Sequence, residues 1–207
     1  MRTQNNPVLL GNTRLKPETI NTVELAFDYR PFSALRTGLN FYYYHLDDLI
    51  DNISITNTVS QYKNTSHQNG YGTEFEWNWK LSEQWNLSGN YAWQYSRNEQ
   101  TNMRVSCMPE HQVYFATTWQ FMPQWQFQSQ LNWIGSRTRE IGDTRPLEDY
   151  ETFDFTLRGK KLWGYLNLAA SLRNAFDSNN LESARPEIPV NLPLPGRSFY
   201  LEASVDF

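Results

Sequence analysis

Apolar and polar residues alternate along this chain, most regularly between residues 71 and 96. Trp77 lies among large side chains on one side of this stretch, and Glu76 lies among polar side chains on the other. The alternation reverses once, at residues 81–84. A period of two with one apolar and one polar face is typical of a half-buried antiparallel hairpin. The pattern therefore predicts two strands joined by a short turn.

The same alternation recurs along the chain and predicts nine strands, covering residues 18–30, 35–49, 71–80, 85–96, 113–121, 125–133, 152–158, 166–172 and 198–207. Short turns are predicted at residues 31–34, 81–84, 122–124 and 159–161. Longer polar loops alternate with these turns, at residues 50–69, 97–110, 135–149 and 174–195. No helix is needed, so we expect an all-β, up-and-down antiparallel sheet.

The placement of turns and tryptophans indicates which solvent the apolar side meets. Short turns at one end and long loops at the other are typical of an outer-membrane barrel. A Greek-key sandwich mixes them at both ends. Five tryptophans stand at strand ends beside the short turns: Trp79, Trp85, Trp119, Trp125 and Trp163. Indole rings prefer the lipid headgroup level, so these residues predict an aromatic girdle of a transmembrane β-barrel.

Composition is compatible with this interpretation. Apolar residues make up 39% of the 207 residues, aromatic residues make up 15%, and the mean hydropathy is -0.69. A spanning strand offers only every second residue to lipid, so a low mean hydropathy does not exclude a membrane. No uninterrupted apolar run is long enough for a transmembrane helix. Residues 1–20 contain no signal-peptide core, so we expect no signal peptide in this sequence.

Charge and cysteine content exclude other classes. A net charge of -4 and a pI near 5.4 argue against a nucleic-acid surface. The lone cysteine, Cys107, excludes an internal disulfide framework.

The first and last predicted strands would each leave an unpaired edge, which costs several kcal/mol per orphan group in hydrocarbon. We therefore expect these strands to belong to a larger closed sheet.

Five short motifs, in order along the chain, resemble elements of TonB-dependent outer-membrane receptors. They are Leu15-Lys16-Pro17-Glu18, Asn69-Gly70-Tyr71-Gly72-Thr73-Glu74, Pro109-x-His111, Arg173-Asn174-Ala175-Phe176-Asp177, and Pro195-Gly196-Arg197 before a strand ending in Phe207. The resemblance implies a barrel of about 22 strands closed around an N-terminal plug. Residues 1–207 would supply the C-terminal portion of that barrel, with the plug domain and signal peptide absent.

The resemblance also implies a function. Such receptors lie in the bacterial outer membrane and take up scarce ligands, most often ferric siderophores, otherwise haem, cobalamin or another metal complex. We expect lipid, lipopolysaccharide and a small metal chelate as partners, with the TonB complex engaged through the plug. We expect no nucleic-acid partner, no resident cofactor and no enzymatic activity.

Arginines on the long-loop side are the candidate ligand-binding residues: Arg97, Arg104, Arg137, Arg139, Arg145, Arg185 and Arg197. Guanidinium groups suit anionic chelates and lipopolysaccharide phosphates. Any one loop arginine can equally be a solvated surface residue. The densest group, Arg137, Arg139 and Arg145, is our predicted ligand-facing cluster.

The sequence gives weaker signals for metal binding and for catalysis. Met103, Cys107, Met108 and His111 are soft ligands that copper would accept, but their spacing fits no dedicated site. No nucleophile elbow, phosphate loop or zinc signature is present. Two alternatives stay open, namely another outer-membrane barrel such as a porin or adhesin, and a soluble carbohydrate-binding β-protein.

Overall fold

The structure is a computed structural model that describes residues 8–139, 143, 145, 147–184, 188 and 190–206. These residues form twelve strands: β1 (Leu9–Leu10), β2 (Thr19–Phe32), β3 (Leu35–Ser54), β4 (Ser60–Lys80), β5 (Trp85–Asn98), β6 (His111–Met122), β7 (Trp125–Gly135), β8 (Tyr150–Leu162), β9 (Leu166–Arg173), β10 (Leu181–Glu182), β11 (Leu192–Pro193) and β12 (Ser198–Val205). In this part of the chain no helix is long and apolar enough to cross a membrane.

Nine long strands pair with their neighbours in chain order, from β2 through β9 and then to β12. The all-β, up-and-down antiparallel prediction is therefore confirmed. Three two-residue strands were not predicted, because two residues are too few to show alternation. β1 pairs in parallel with β4, where Leu9 faces Ser60, and β10 pairs with β11 within the last long loop.

Contacts divide the chain into two compact units. The first contains the described parts of Met1–Leu25, Phe41–Gly72 and Tyr95–Val105. The second contains the described parts of Ala26–Asn40, Thr73–Gln94 and Ser106–Phe207.

Within the second unit, strand register gathers the apolar positions on one side of the sheet. Phe115 faces Leu131, and Leu131 faces Phe153, so these three residues define what we call the apolar face. Tyr114, Asn132 and Thr152 are aligned in the same way on the polar face. The predicted division of strands β6–β8 into two faces is confirmed.

Aromatic rings on the apolar face contact one another near the short turns. Trp85 and Trp119 are direct cross-strand partners, and their ring centroids lie 5.2 Å apart with an interplanar angle of 12°. Trp163 lies in the turn after β8 and is 77% exposed. The shared level that the sequence predicts for these tryptophans is confirmed for the Trp85–Trp119 pair.

Within the second unit, β6, β7, β8, β9 and β12 make their main contacts with their neighbours in the sheet. The only buried apolar residues among the described ones are Ala116, Leu162, Ala175 and Ala184. Large side chains of the second unit stay exposed instead, with Leu201 at 75% and Phe199 at 63%. Exposed large apolar side chains in such number are typical of a surface that meets a partner or a membrane.

Some glycines provide space for aromatic rings. A side chain added at Gly89 would come within 2.4 Å of the Trp77 ring and 2.7 Å of the Tyr114 carbonyl oxygen. In the first unit, a side chain at Gly70 would meet the Tyr44 ring at 2.3 Å. These glycines let a ring lie against the strand backbone.

The prediction of a polar loop at residues 50–69 is wrong. β3 continues to Ser54 and β4 begins at Ser60, so residues 55–59 make the connection. Ile55 and Thr56 donate backbone hydrogen bonds of 2.8 and 3.1 Å to the Val59 carbonyl. Both sides of the sheet are polar here, so alternation disappears although backbone pairing continues. Asn69-Gly70 accordingly lies inside β4.

The turn predicted at residues 159–161 is also wrong, because Gly159 and both lysines belong to β8. The chain reverses at residues 163–165, where Trp163 and Gly164 adopt φ of 50° and 90°. The register between β8 and β9 shifts between Gly159 and Leu162, which carries the strand past the expected glycine turn. β12 ends at Val205, and the predicted terminal aromatic Phe207 lies outside the described residues.

Replacing Gly89 by alanine should destabilise the sheet, because the new methyl group meets both the Trp77 ring and the rigid Tyr114 backbone. Overpacking of this kind costs about 1–3 kcal/mol. Heat-induced unfolding, followed by electrophoretic mobility of a full-length receptor carrying this chain, should show a lower midpoint for Gly89→Ala. The adjacent polar-face variant Ser88→Ala is the control. Equal midpoints for the two variants would contradict the proposed crowding.

Candidate functional site

The three predicted arginines lie in the second unit, in or beside the loop that joins β7 to β8. The loop leaves the sheet after Gly135, and Ser136 turns the chain with a φ of 53°. The Ser136 amide donates a 2.8 Å hydrogen bond to the Asp149 carboxylate just before β8. This bond closes the base of the loop and directs Arg137 back over the sheet end.

Arg137 is held by protein groups. Its Nη1 donates a 2.8 Å hydrogen bond to the Leu181 carbonyl and lies 3.3 Å from the Glu182 carboxylate in β10. Its Nη2 donates to the Glu148 carbonyl. The guanidinium carbon lies 4.5 Å from the centroid of the Tyr150 ring. With its side chain 5% exposed, Arg137 joins the two loops to each other.

Arg139 and Arg145 share one carboxylate. Asp143 Oδ2 accepts a 3.3 Å hydrogen bond from Arg139 Nη1 and a 2.6 Å bond from Arg145 Nη2. Arg139 also donates to the Asn191 side chain, and Arg145 donates a 2.8 Å bond to the Ile188 carbonyl. Both contacts reach the loop between β9 and β12. The side chain of Arg139 is 2% exposed, whereas that of Arg145 is 32% exposed.

Electrostatics keep this centre ionised. The hydrogen bond from Arg145 holds the pKa of the Asp143 carboxyl well below its ordinary value, and Arg139 contributes through its charge. The hydrogen bond to Asp143 raises the pKa of Arg145 in turn. Two cations facing one anion leave a net positive charge, and Arg145 is the cation that solvent reaches. The arrangement can therefore accept an anionic ligand at Arg145.

The structure thus brings two of the three predicted arginines together and sets the third apart. Arg139 and Arg145 meet at Asp143, whereas Arg137 lies against Tyr150 and Glu182. Sequence reasoning missed the organising role of Asp143, although its position between the two arginines was a visible signal.

The other loop arginines are dispersed. Arg97 and Arg104 face each other in an isolated antiparallel bridge of the first unit. Arg197 lies 3.8 Å from the Asp177 carboxylate in the second unit. Arg185 lies outside the described residues.

A second polar cluster, in the first unit, was not predicted. Among the described residues, one group of three histidine, cysteine or acidic side chains brings its ligand atoms within 4.8 Å of one another, namely His45, Asp47 and His67. The His-x-Asp spacing on one strand was the available signal, because alternate residues of a strand share a face. The sequence predicts a loop at residues 50–69, so His67 is not expected on a strand beside His45 and Asp47.

The copper ligands weighed from the sequence do not form such a group in the described part of the chain. His111 Nδ1 instead lies 2.7 Å from the Tyr91 hydroxyl oxygen, and its ring stacks on that of Tyr91. Cys107 is exposed.

Solved structures provide three close likenesses in fold. A ferric enterobactin receptor mutant from Pseudomonas aeruginosa in complex with enterobactin is 21% identical, with a TM-score of 0.80 over 96% of this chain and 33% of that one. The copper transporter OprC is 18% identical, with a TM-score of 0.79 over 94% of this chain and 32% of that one. The ferric-catecholate import receptor Fiu from Escherichia coli K12 is 18% identical, with a TM-score of 0.75 over 95% and 29%.

These identities support a shared fold, and the chain spans about a third of the length of each solved structure. No curated protein sequence matches the chain. The family model described as "TonB dependent receptor-like, beta-barrel" matches residues 2–175. Nine antiparallel strands in chain order agree with that match. The chain therefore belongs to the TonB-dependent receptor β-barrel family.

Proposed function

We propose that this chain is part of a bacterial outer-membrane receptor that takes up a scarce ligand with energy supplied through TonB. The observation that carries the proposal is that large side chains on the apolar side of the second unit stay exposed, among them Trp119, Leu157 and Leu201. Lipid tails are the surrounding that makes such a face favourable. The polar face, with Asn132 and Thr152, is suited to the water-filled interior of a barrel.

The strand edges support a place within a larger barrel. β2 and β12 stand at the two ends of the strand order. Unpaired backbone groups at a lipid-exposed edge cost several kcal/mol each, so both strands need further partners in a membrane. We infer that residues 1–207 form the C-terminal part of a barrel of about 22 strands, with the remaining strands and a plug in the rest of the receptor.

The proposed ligand is a ferric siderophore, with haem, cobalamin or another metal complex as alternatives. Two of the neighbours are named as ferric enterobactin and ferric-catecholate import receptors, and a third as a copper transporter. Each name belongs to that protein, and it guides the choice of probes for this one. Lipid, lipopolysaccharide and the TonB complex are the further partners that this function requires.

Among the predicted arginines, Arg145 is the one we assign to the ligand. Arg137 and Arg139 have side chains 5% and 2% exposed and are bonded to both loops. They position the loops. Arg145 keeps 32% of its side chain exposed and extends the same positive centre to solvent. Its Nε and Nη2 donate to Asp143 and its Nη1 donates to the Ile188 carbonyl, so an anionic chelate would be held by its charge and by the remaining N–H groups.

Deleting the receptor gene in its native host should abolish uptake of one of three probes: ferric enterobactin, ferripyoverdine or Cu²⁺. Radiolabelled uptake under metal starvation measures this, and a strain lacking TonB should show the same loss because the transport step needs its energy. Restoring the gene should restore uptake. Unchanged uptake of all three probes in both strains would exclude these two siderophores and copper as the ligand.

A charged residue on the apolar face should be far more costly than one on the polar face. We expect Leu131→Arg to destabilise the receptor in lipid vesicles by about 2–4 kcal/mol, the usual cost of arginine near the bilayer midplane. Asn132→Arg, the adjacent residue on the polar face, should change stability much less. Urea unfolding in vesicles measures both variants. The reverse order of stabilities would exclude lipid on the apolar face.

Replacing Arg145 by alanine should weaken binding of ferric enterobactin about tenfold or more, if that probe is the ligand taken up, because a charge-assisted contact is lost. Arg145→Lys should recover part of the affinity. Arg197→Ala, which removes another exposed arginine of the same unit, is the matched control. Limited proteolysis compares the loops of Arg145→Ala and Arg145→Lys, because Arg145 also donates hydrogen bonds to Asp143 and to the Ile188 carbonyl. Wild-type affinity in Arg145→Ala would restrict the arginines to holding the loops.

A further inference from the structure

The cluster of His45, Asp47 and His67 is built on two paired strands of the first unit. His45 and Asp47 lie on β3, two residues apart, and His67 lies on β4. The Tyr43 hydroxyl donates a 2.8 Å hydrogen bond to Asn69 Oδ1, which also contacts His45. Tyr43, His45 and Asp47 therefore share one side of β3, and the cluster follows the last aromatic residue on that side.

The three side chains converge on one point. Asp47 Oδ1 lies 3.0 Å from His45 Nε2 and 2.9 Å from His67 Nδ1. The two imidazole rings are parallel within 4°, with centroids 6.2 Å apart. All three ligand atoms lie within 4.8 Å of one another. In a tetrahedral site with metal–ligand bonds of about 2.0–2.2 Å, ligand atoms are about 3.3–3.6 Å apart, so small side-chain rotations would suffice.

A second layer of hydrogen bonds orients the His45 ring. Asn69 Nδ2 donates to Glu99 Oε1, and Asn69 Oδ1 accepts the hydrogen bond of the Tyr43 hydroxyl. These two bonds fix the amide with its oxygen towards His45 Nδ1, 2.6 Å away. Nδ1 then carries a proton, and the proton that Nε2 shares with Asp47 would be displaced when an ion binds between them. Metal-binding histidines are commonly oriented in this way, by an acceptor at the other ring nitrogen.

The charge and exposure of the cluster suit a cation. Asp47 is the shared acceptor, and Glu99 places a second carboxylate oxygen 3.8 Å from His45 Nδ1. The side chains of His45, Asp47 and His67 are 32%, 34% and 42% exposed, so an ion can reach them from solvent. Two imidazole nitrogens and one carboxylate oxygen form a donor set suited to borderline divalent ions.

We propose that His45, Asp47 and His67 bind one divalent first-row transition-metal ion, of which Zn²⁺, Ni²⁺ and Cu²⁺ are the best matches. Water completes the coordination, and Asn69 and Glu99 support the ligands without binding the ion. The ion joins β3 to β4 beyond the aromatic residue Tyr43. This site does not depend on which ligand the receptor takes up.

Competition of the metal-free full-length receptor with a chromophoric chelator for Zn²⁺ tests the site. We expect His45→Ala and His67→Ala each to bind one ion fewer per molecule than the wild type. His111→Ala is the matched control, because it removes the remaining histidine of the chain, which lies outside the cluster. Heat-dependent electrophoretic mobility verifies that each variant is folded.

Two further variants separate the roles of the ligands and their supports. Asp47→Asn should also lose the ion, whereas Asn69→Ala should retain it with an affinity about 10–100-fold lower, as for other supporting residues. X-ray absorption of the Zn²⁺-loaded wild-type receptor should show imidazole scattering around the ion, and the same scattering should persist in His111→Ala. Equal zinc stoichiometry in the wild type, His45→Ala and His67→Ala would overturn the proposal and leave the cluster as a hydrogen-bond network.

Discussion

The structure depends on one constraint, which is that many large apolar side chains on one side of the sheet stay exposed in the described residues. Leu201 and Phe199 stay mostly exposed, while the few buried apolar residues are mainly alanines. In water this would cost the energy that normally drives folding. In lipid the cost disappears, and the backbone must then satisfy its hydrogen bonds within the sheet. Long antiparallel strands follow from that requirement.

The same constraint explains how the sheet treats glycine and aromatic residues. Without a second layer, a large ring gains contacts only by lying along its own sheet. Gly89 and Gly70 provide the space for this beside Trp77 and Tyr44. Stacked pairs such as Trp85 and Trp119 add contacts between neighbouring strands. The sheet therefore obtains from cross-strand pairs what a globular domain obtains from its core.

The loops follow a different rule, because they meet water and must hold their charges in place. Asp143 ties two arginines together, and those arginines reach the neighbouring loop through Asn191 and the Ile188 carbonyl. Arg139 uses its charge to hold the loops together, through its hydrogen bonds to Asp143 and Asn191. Arg145 is the partly exposed arginine of this group, and it is the residue that we propose binds an anionic chelate.

The sequence by itself determined the all-β class, the nine long strands and the division into two faces, because a period of two reports which side of a strand meets an apolar solvent. It could not show that β3 continues to Ser54 and that β4 begins at Ser60, since strands with polar side chains on both sides pair without alternating. Only the tertiary structure placed His67 beside Asp47, and Arg145 beside Asp143 and Ile188. Contacts between distant residues depend on register and loop path, and neither leaves a periodic trace in the chain.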